Sequence, residues 1–222
     1  MKDSFSNHFR CRMLFTLTCL VFLLSACART NPVTYYQLST IESEQAPVDS
    51  TEFADLVIGI GPIRLPEFLD RPQIIIRRSP NRLQLSNDHR WVEPLGDSLA
   101  GALRDNLSRL LKTENFHFYP WNKTTPVDFQ IVIELIHFEG EGHERALLEV
   151  VWSIRNNEGD IITPPRRTIH RITTTSSDYK GLVNALSRAS SLLSLEIGDT
   201  IKKLANIPAK QTNVHAEPSG NV

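Results

Sequence analysis

Cys27 carries the clearest chemistry in this chain. It follows Leu24-Ser25-Ala26 at the end of a short apolar run, Met13 to Leu24, which Arg10 and Arg12 precede. Twelve largely apolar residues are too few to cross a bilayer core of about 30 Å as a helix, and they fit the central region of a signal peptide. Small residues at Ser25 and Ala26 admit a peptidase, and a thiol directly after them can take a diacylglyceryl group as a thioether. Cys27 is therefore expected to be the lipidated first residue of a mature bacterial lipoprotein, held by acyl chains such as palmitate. One chain binds a membrane only reversibly at about 0.8 kcal/mol per buried methylene, whereas three hold firmly.

A second group with possible chemistry is His137, Glu139, Glu141, His143 and Glu144, gathered around a glycine turn. If the flanking strands pair as a hairpin, His137 and His143 could lie side by side as two metal ligands. Side chains flanking a turn are usually just solvated, and a His pair without a third convergent ligand is a weak signal. A serine hydrolase would need a nucleophile on a strained turn, and no Gly-x-Ser-x-Gly pattern occurs. We assign no catalytic residue, no metal site and no cofactor. A third group, Arg71, Arg77, Arg78, Arg82 and Arg90, concentrates positive charge in one stretch. It is either a solvated strand face laced with ion pairs, or an interface at which guanidinium groups pair with a partner carboxylate or a lipid phosphate.

Composition limits the rest. Without residues 1–26 the chain keeps 196 residues, with 21 Lys and Arg against 24 Asp and Glu, a formal charge of −3. Nothing in this balance suits nucleic acid. The length fits one domain with a real core. Cys11 and Cys19 leave with the signal peptide and Cys27 is spent on lipid, so no thiol remains for a disulfide or a thiolate metal site.

The elements that must position these groups follow from periodicity. Thr34 to Leu38 reads as a strand, Ser39 to Glu52 as an exposed loop, and Asp55 to Ile60 as a buried strand ended by Gly61 and Pro62. Gln73 to Arg78 and Leu83 to Ser86 form a hairpin around Ser79-Pro80-Asn81. A helix starts near Pro94, with Asp97 in its first turn and leucines at 95, 99, 103, 107 and 111 on one side. Trp91 is expected to anchor the hairpin to this helix. Asn115 to Asn122 is an aromatic edge segment.

Val127 to Phe138 is the most hydrophobic strand, with Val127, Phe129, Ile131, Ile133 and Leu135 on one face and Val132, Ile136 and Phe138 on the other. A turn at Gly140 and Gly142 leads to Ala146 to Arg155, and Arg166 to Thr174 completes an antiparallel meander. Ser177 and Asp178 can cap a final helix whose stripe runs from Leu182 to Leu204, widened by Leu192 and Leu195. The expected fold class is α/β in the α+β sense, a single domain with a mainly antiparallel or mixed sheet packed by two amphipathic helices. Its expected parts are a signal peptide at 1–26, a lipidated tether at 27–34, a periplasmic domain at 35–206 and a disordered tail at 207–222.

The lipobox, the two-tyrosine strand, the Leu65 to Pro72 segment, the basic strand after it and Arg90-Trp91-Val92-Glu93-Pro94-Leu95 together resemble the PqiC family, the ABC-type transport auxiliary lipoproteins. The resemblance runs from about Cys27 to Leu204. Val92 stands where the family usually has Ala, and Phe68 where Tyr is usual. The resemblance implies a compact, non-catalytic domain anchored in the outer membrane on its periplasmic side. Its implied partners are an MCE-domain protein that forms a tunnel across the periplasm and, indirectly, an inner-membrane permease, with copies of the lipoprotein in a ring. Ala28, in place of the Asp that favours inner-membrane retention in enteric-type bacteria, is consistent with that destination. The alternative is a periplasmic lipid-binding carrier whose aromatics, among them Phe118, Trp121 and Phe138, line a cavity. A metal-dependent hydrolase using His137 and His143 is the third reading.

Overall fold

The computed structural model describes residues 32–40, 53–122 and 124–206. The signal peptide, Cys27, most of the tether, most of the Ser39 to Glu52 loop and the 207–222 tail lie outside the described residues.

Eight strands and two helices follow one another as β1 (Thr34–Tyr36), β2 (Ile58–Arg64), β3 (Gln73–Ser79), β4 (Arg82–Trp91), α1 (Leu95–Leu111), β5 (Phe116–Phe118), β6 (Phe129–Glu141), β7 (Arg145–Arg155), β8 (Ile161–Thr173) and α2 (Tyr179–Ala205). They form a single mixed α+β domain, as expected. The strands make one mixed sheet that forks along β6. One side of β6 carries the antiparallel meander to β7 and β8. On the other side, its first half pairs in parallel with β2, and β5 continues that branch. Its last residues pair in parallel with β3, which carries β4 and then β1. A 13-residue strand is long enough, at about 3.3 Å per residue, to serve both branches.

Several elements extend beyond the limits that periodicity indicates. β2 does not stop at Gly61: the chain passes through a cis Gly61–Pro62 peptide and resumes pairing at Ile63 after a register shift. Proline cannot donate to the ladder, so it sits at the irregularity, and Gly61 there adopts φ +111°, a region open to glycine. β4 continues past Ser86 to Trp91 because the polar run Asn87-Asp88-His89 is absorbed as a bulge, with the His89 amide donating to Ser86 Oγ at 3.0 Å. β8 begins at Ile161, and its Pro164 and Pro165 are tolerated because it is an edge strand. Gly140 belongs to β6 rather than to the turn.

The two faces of β6 also exchange midway. The register slips between Leu135 and His137, leaving Ile136 as an extra residue. Ile131, Ile133 and Leu135 face the core, and beyond the bulge Phe138 takes the same face instead of the opposite one. It is buried, with its ring 5.9 Å from that of Trp91. A one-residue slip in a period of two reverses every later side chain.

The core-facing residues of β7, Ala146, Leu148, Val150, Trp152 and Ile154, are buried against the helices. α1 and α2 pack on each other through Asn106 Nδ2 donating to Ser194 Oγ at 3.1 Å. The buried stripe of α2 runs through Leu182, Leu186, Ala189, Leu193, Ile197 and Ile201. Leu192 and Leu195 fall outside it and are exposed, so they do not widen the stripe. Trp91, at the end of β4, is buried in the core, and its ring lies against that of Phe138 on β6. Trp91→Phe keeps the ring contact with Phe138 but leaves a cavity. It should lower stability by about 1–3 kcal/mol in chemical denaturation, below the range for truncating a buried aromatic to alanine.

Candidate functional site

The five arginines divide between the two ends of the β3–β4 hairpin. Arg71 and Arg90 lie at its open end, where Gln73 pairs with Arg90, and Arg77, Arg78 and Arg82 lie at its tip, where Ser79 pairs with Arg82. Arg77 is committed inward. Its Nε sits 2.5 Å from Oε1 of Glu139, a fully buried carboxylate, and its Nη1 donates to the Pro80 carbonyl at 3.0 Å. Arg78 donates to Gln84 at 2.7 Å and lies 2.8 Å from His143 Nε2. Arg82 is exposed and has no side-chain partner among the described residues.

His137 and His143 are not brought together as a ligand pair. The residue across the hairpin from His137 is Glu149, and His143 sits in the turn itself. His137 Nδ1 lies 3.2 Å from Glu139, while His143 meets Arg78 and the edge of Tyr179. Their carboxylate neighbours instead join a cross-strand ladder on the face of the sheet away from the helices. Glu141 lies between Arg145 and Arg171, and Glu149 pairs with Arg167 across β7 and β8. This ladder was hidden in the sequence, because it depends on register between strands far apart in the chain.

Next to this end of the sheet, Tyr36 OH meets His89 Nδ1 at 3.0 Å, and the His89 ring stacks on Tyr179 at 4.0 Å. Burial pushes the Tyr36 phenol up, and the negative charge of Asp178 adds to the effect. Asp178 caps α2, accepting from the Gly181 amide at 2.7 Å and from Ser176 Oγ at 2.6 Å. A side chain at Gly181 would collide with the Ser176 backbone, so glycine is required for this close turn. The Ser176 hydrogen bond first, then the Gly181 amide, hold the Asp178 carboxyl below its ordinary value. A lowered folded-state pKa adds stability above the unfolded value that is lost as pH falls through the folded one. Asp178→Ala should remove this acid-sensitive component and loosen the first turn. Asp178→Asn should keep the cap and lose only the pH dependence, read from urea unfolding between neutral and acid pH.

A cleft of about 720 Å³ opens beside the first turns of α1, between the ends of β2 and β5 and the chain following β1. Leu38, the end of β2, Asp70, Glu93, the first turns of α1 and the rings of Phe118 and Tyr119 line it. Arg104 is bound to Asp105 at 2.6 Å and lies 5.8 Å from the centre of the Phe118 ring. Asp70, Glu93 and Asp97 give the cleft an acidic wall, suited to a cationic group and unfavourable for a phosphate. The aromatics named for a lipid cavity do not converge here. Phe118 reaches the cleft, while Phe138 is in the core against Trp91. The lining holds neither histidine nor cysteine.

The fold and its surfaces define a single α+β domain that offers charge and aromatic rings for recognition. The chain belongs to the family of ABC-type transport auxiliary lipoprotein components, whose family model matches residues 36–198. Membership makes it a lipoprotein, which implies a membrane anchor, and an auxiliary component of ABC-type transport, which implies partners. Among solved structures it is similar to a crystal structure described only as an uncharacterized protein, with a TM-score of 0.62 and 17% identity over 77% of this chain and 99% of that one. It is similar to the same degree to protein XCC0632 from Xanthomonas campestris, with a TM-score of 0.62 and 17% identity over 77% of this chain and 95% of that one. At such identities the likeness is one of fold. No curated protein sequence matches the chain.

Proposed function

We propose that this protein is an accessory lipoprotein anchored through Cys27 in the outer membrane, facing the periplasm, where copies of it in a ring dock an MCE-domain tunnel protein to that membrane. The inner-membrane permease of the same lipid-trafficking system is its indirect partner. The observation that carries this reading is the family match over residues 36–198, which takes in nearly all of the described domain and begins only nine residues after a cysteine in lipobox context. The geometry agrees with a docking role. The domain offers an acidic cleft beside α1 and guanidinium groups at both ends of the hairpin, and Arg71, Arg77, Arg78, Arg82 and Arg90 remain the proposed contact set, with Arg77 acting from within it by holding Glu139.

The experiment is gentle extraction of the native lipoprotein from membranes, followed by the mass of the complex and the identity of every protein that accompanies it. An oligomer carrying an MCE-domain protein is the expected result. A monomer that emerges alone with phospholipid in its domain would replace docking with carriage.

A further inference from the structure

We infer that the cleft beside α1 holds an arginine side chain presented by an extended segment of the docked protein partner. The inference deepens the docking reading and rests on it. Four carboxylates, those of Asp70, Glu93, Asp97 and Asp105, line the cleft against one guanidinium, that of Arg104, which is already bound to Asp105 at 2.6 Å. Asp70, Glu93 and Asp97 have no side-chain partner among the described residues. Like charges lining one recess draw a cation into it. A guanidinium suits this site better than an ammonium, because its fork can bridge carboxylates while its plane lies on an aromatic ring. Rings are at hand: Phe118 and Tyr119 reach the cleft and keep 42% and 55% of their exposure. Tyr119 is fixed there by its amide, which donates to the Ile60 carbonyl at 3.0 Å, and by an edge contact of its ring with Trp121 at 5.7 Å.

The helix side of the cleft calls for acceptors, which a free cation lacks. Pro94 stands at the N-cap of α1 and offers no side-chain acceptor to the amides of the first turn. Ser98, which lines the cleft one turn into the helix, is buried, and its hydroxyl has no hydrogen-bond partner among the described residues. Buried polar groups are normally satisfied, and peptide carbonyls can supply what these donors lack. Gly101, also on this wall, costs α1 about 1 kcal/mol relative to alanine. No neighbour requires it, since an added Cβ would meet nothing within 4 Å. Its bare backbone leaves room for a main chain to approach the helix closely. Carboxylates for a guanidinium, donors for carbonyls and a wall without a side chain are together the requirements of an arginine within a peptide, not those of a metal ion or a polyamine.

The test uses the native lipoprotein with the photoreactive residue p-benzoylphenylalanine in place of Tyr119, irradiated in its own membranes and then gently extracted with the proteins that accompany it. The adduct should map by mass spectrometry to a segment of the co-extracted MCE-domain protein, at or next to an arginine. Asp70→Asn, Glu93→Gln and Asp97→Asn together should lower the adduct yield by about 10-fold or more, the effect of losing hydrogen bonds to a charged group. Thermal unfolding should not change, since these carboxylates hold no other side chain of the described domain. Asp97→Lys alone, at an exposed position, should lower the yield as well. An adduct to lipid, to a second copy of this chain or to a segment without arginine would overturn the assignment of the cleft and leave docking standing. So would a yield indifferent to the substitutions, or no adduct while the MCE-domain protein is still co-extracted. Extraction without any MCE-domain protein would instead remove the docking reading, and this inference with it.

Discussion

Arg77→Ala is expected to destabilise the domain by about 3–5 kcal/mol, measured as a fall in the midpoint of chemical unfolding at neutral pH. Glu139 explains why an arginine so close to the surface should matter. Its side chain is fully buried on β6, while that of Arg77 keeps 22% of its exposure. Removing the guanidinium leaves a desolvated carboxylate with His137 Nδ1, at 3.2 Å, as its remaining ion-pair neighbour. The charge has already been taken out of water, and its compensation would be gone. The pair itself need not be a source of net stability, because the cost of burying a charge can match the attraction it gains. The double variant Arg77→Met with Glu139→Leu, which removes both charges and keeps the volume, should therefore recover most or all of the loss. A double variant as unstable as Arg77→Ala would show that the geometry of the hairpin, rather than an unpaired charge, sets the cost.

Cys27→Ala is expected to move the protein completely from the membrane fraction to the soluble periplasmic fraction while its thermal unfolding stays unchanged. Fractionation reads the first effect and circular dichroism the second. On the proposed lipidation of Cys27 the membrane affinity comes from acyl chains, each methylene contributing about 0.8 kcal/mol, and among the described residues no helix is long and apolar enough to cross a membrane. The released domain should still recognise its partner, but with avidity lower by about 10²–10⁴, because anchoring holds the lipoprotein copies at the membrane that the tunnel reaches and raises their effective concentration there. Retention of the variant in the membrane fraction would mean that a protein contact, not the lipid, is the main anchor.

The helices were legible in the sequence because each is amphipathic along its own length: leucines at spacings of three and four announce α1 and α2 without reference to anything distant. The β6–β7–β8 meander was legible for a related reason, since each turn joins strands that are neighbours in the chain. The branches were not. Nothing local says that β2 and β3 both pair in parallel with β6, one with each half of it, or that β1 lies against β4 across more than fifty residues. The bulge at Ile136 was equally hidden, because alternation continues through it and only pairing with β7 shows where the register slips. Its consequence is local to the site: it places Phe138 in the core beside Trp91 and turns His137, Glu139 and Glu141 onto the outer face with the arginines.

The sequence by itself therefore determined the class of protein, a lipobox cysteine ahead of one α+β domain with a resemblance to transport auxiliary lipoproteins, since those signals reside in contiguous residues and their periodicity. Tertiary structure decided what each charged side chain is for. Five arginines in one stretch look alike as letters, yet register sends Arg77 to a buried carboxylate, leaves Arg78 and Arg82 at the tip and sets Arg71 and Arg90 at the other end. The strength and use of a charge depend on how far it is from water and from its opposite, and both distances are set by strands that meet only when the chain has folded.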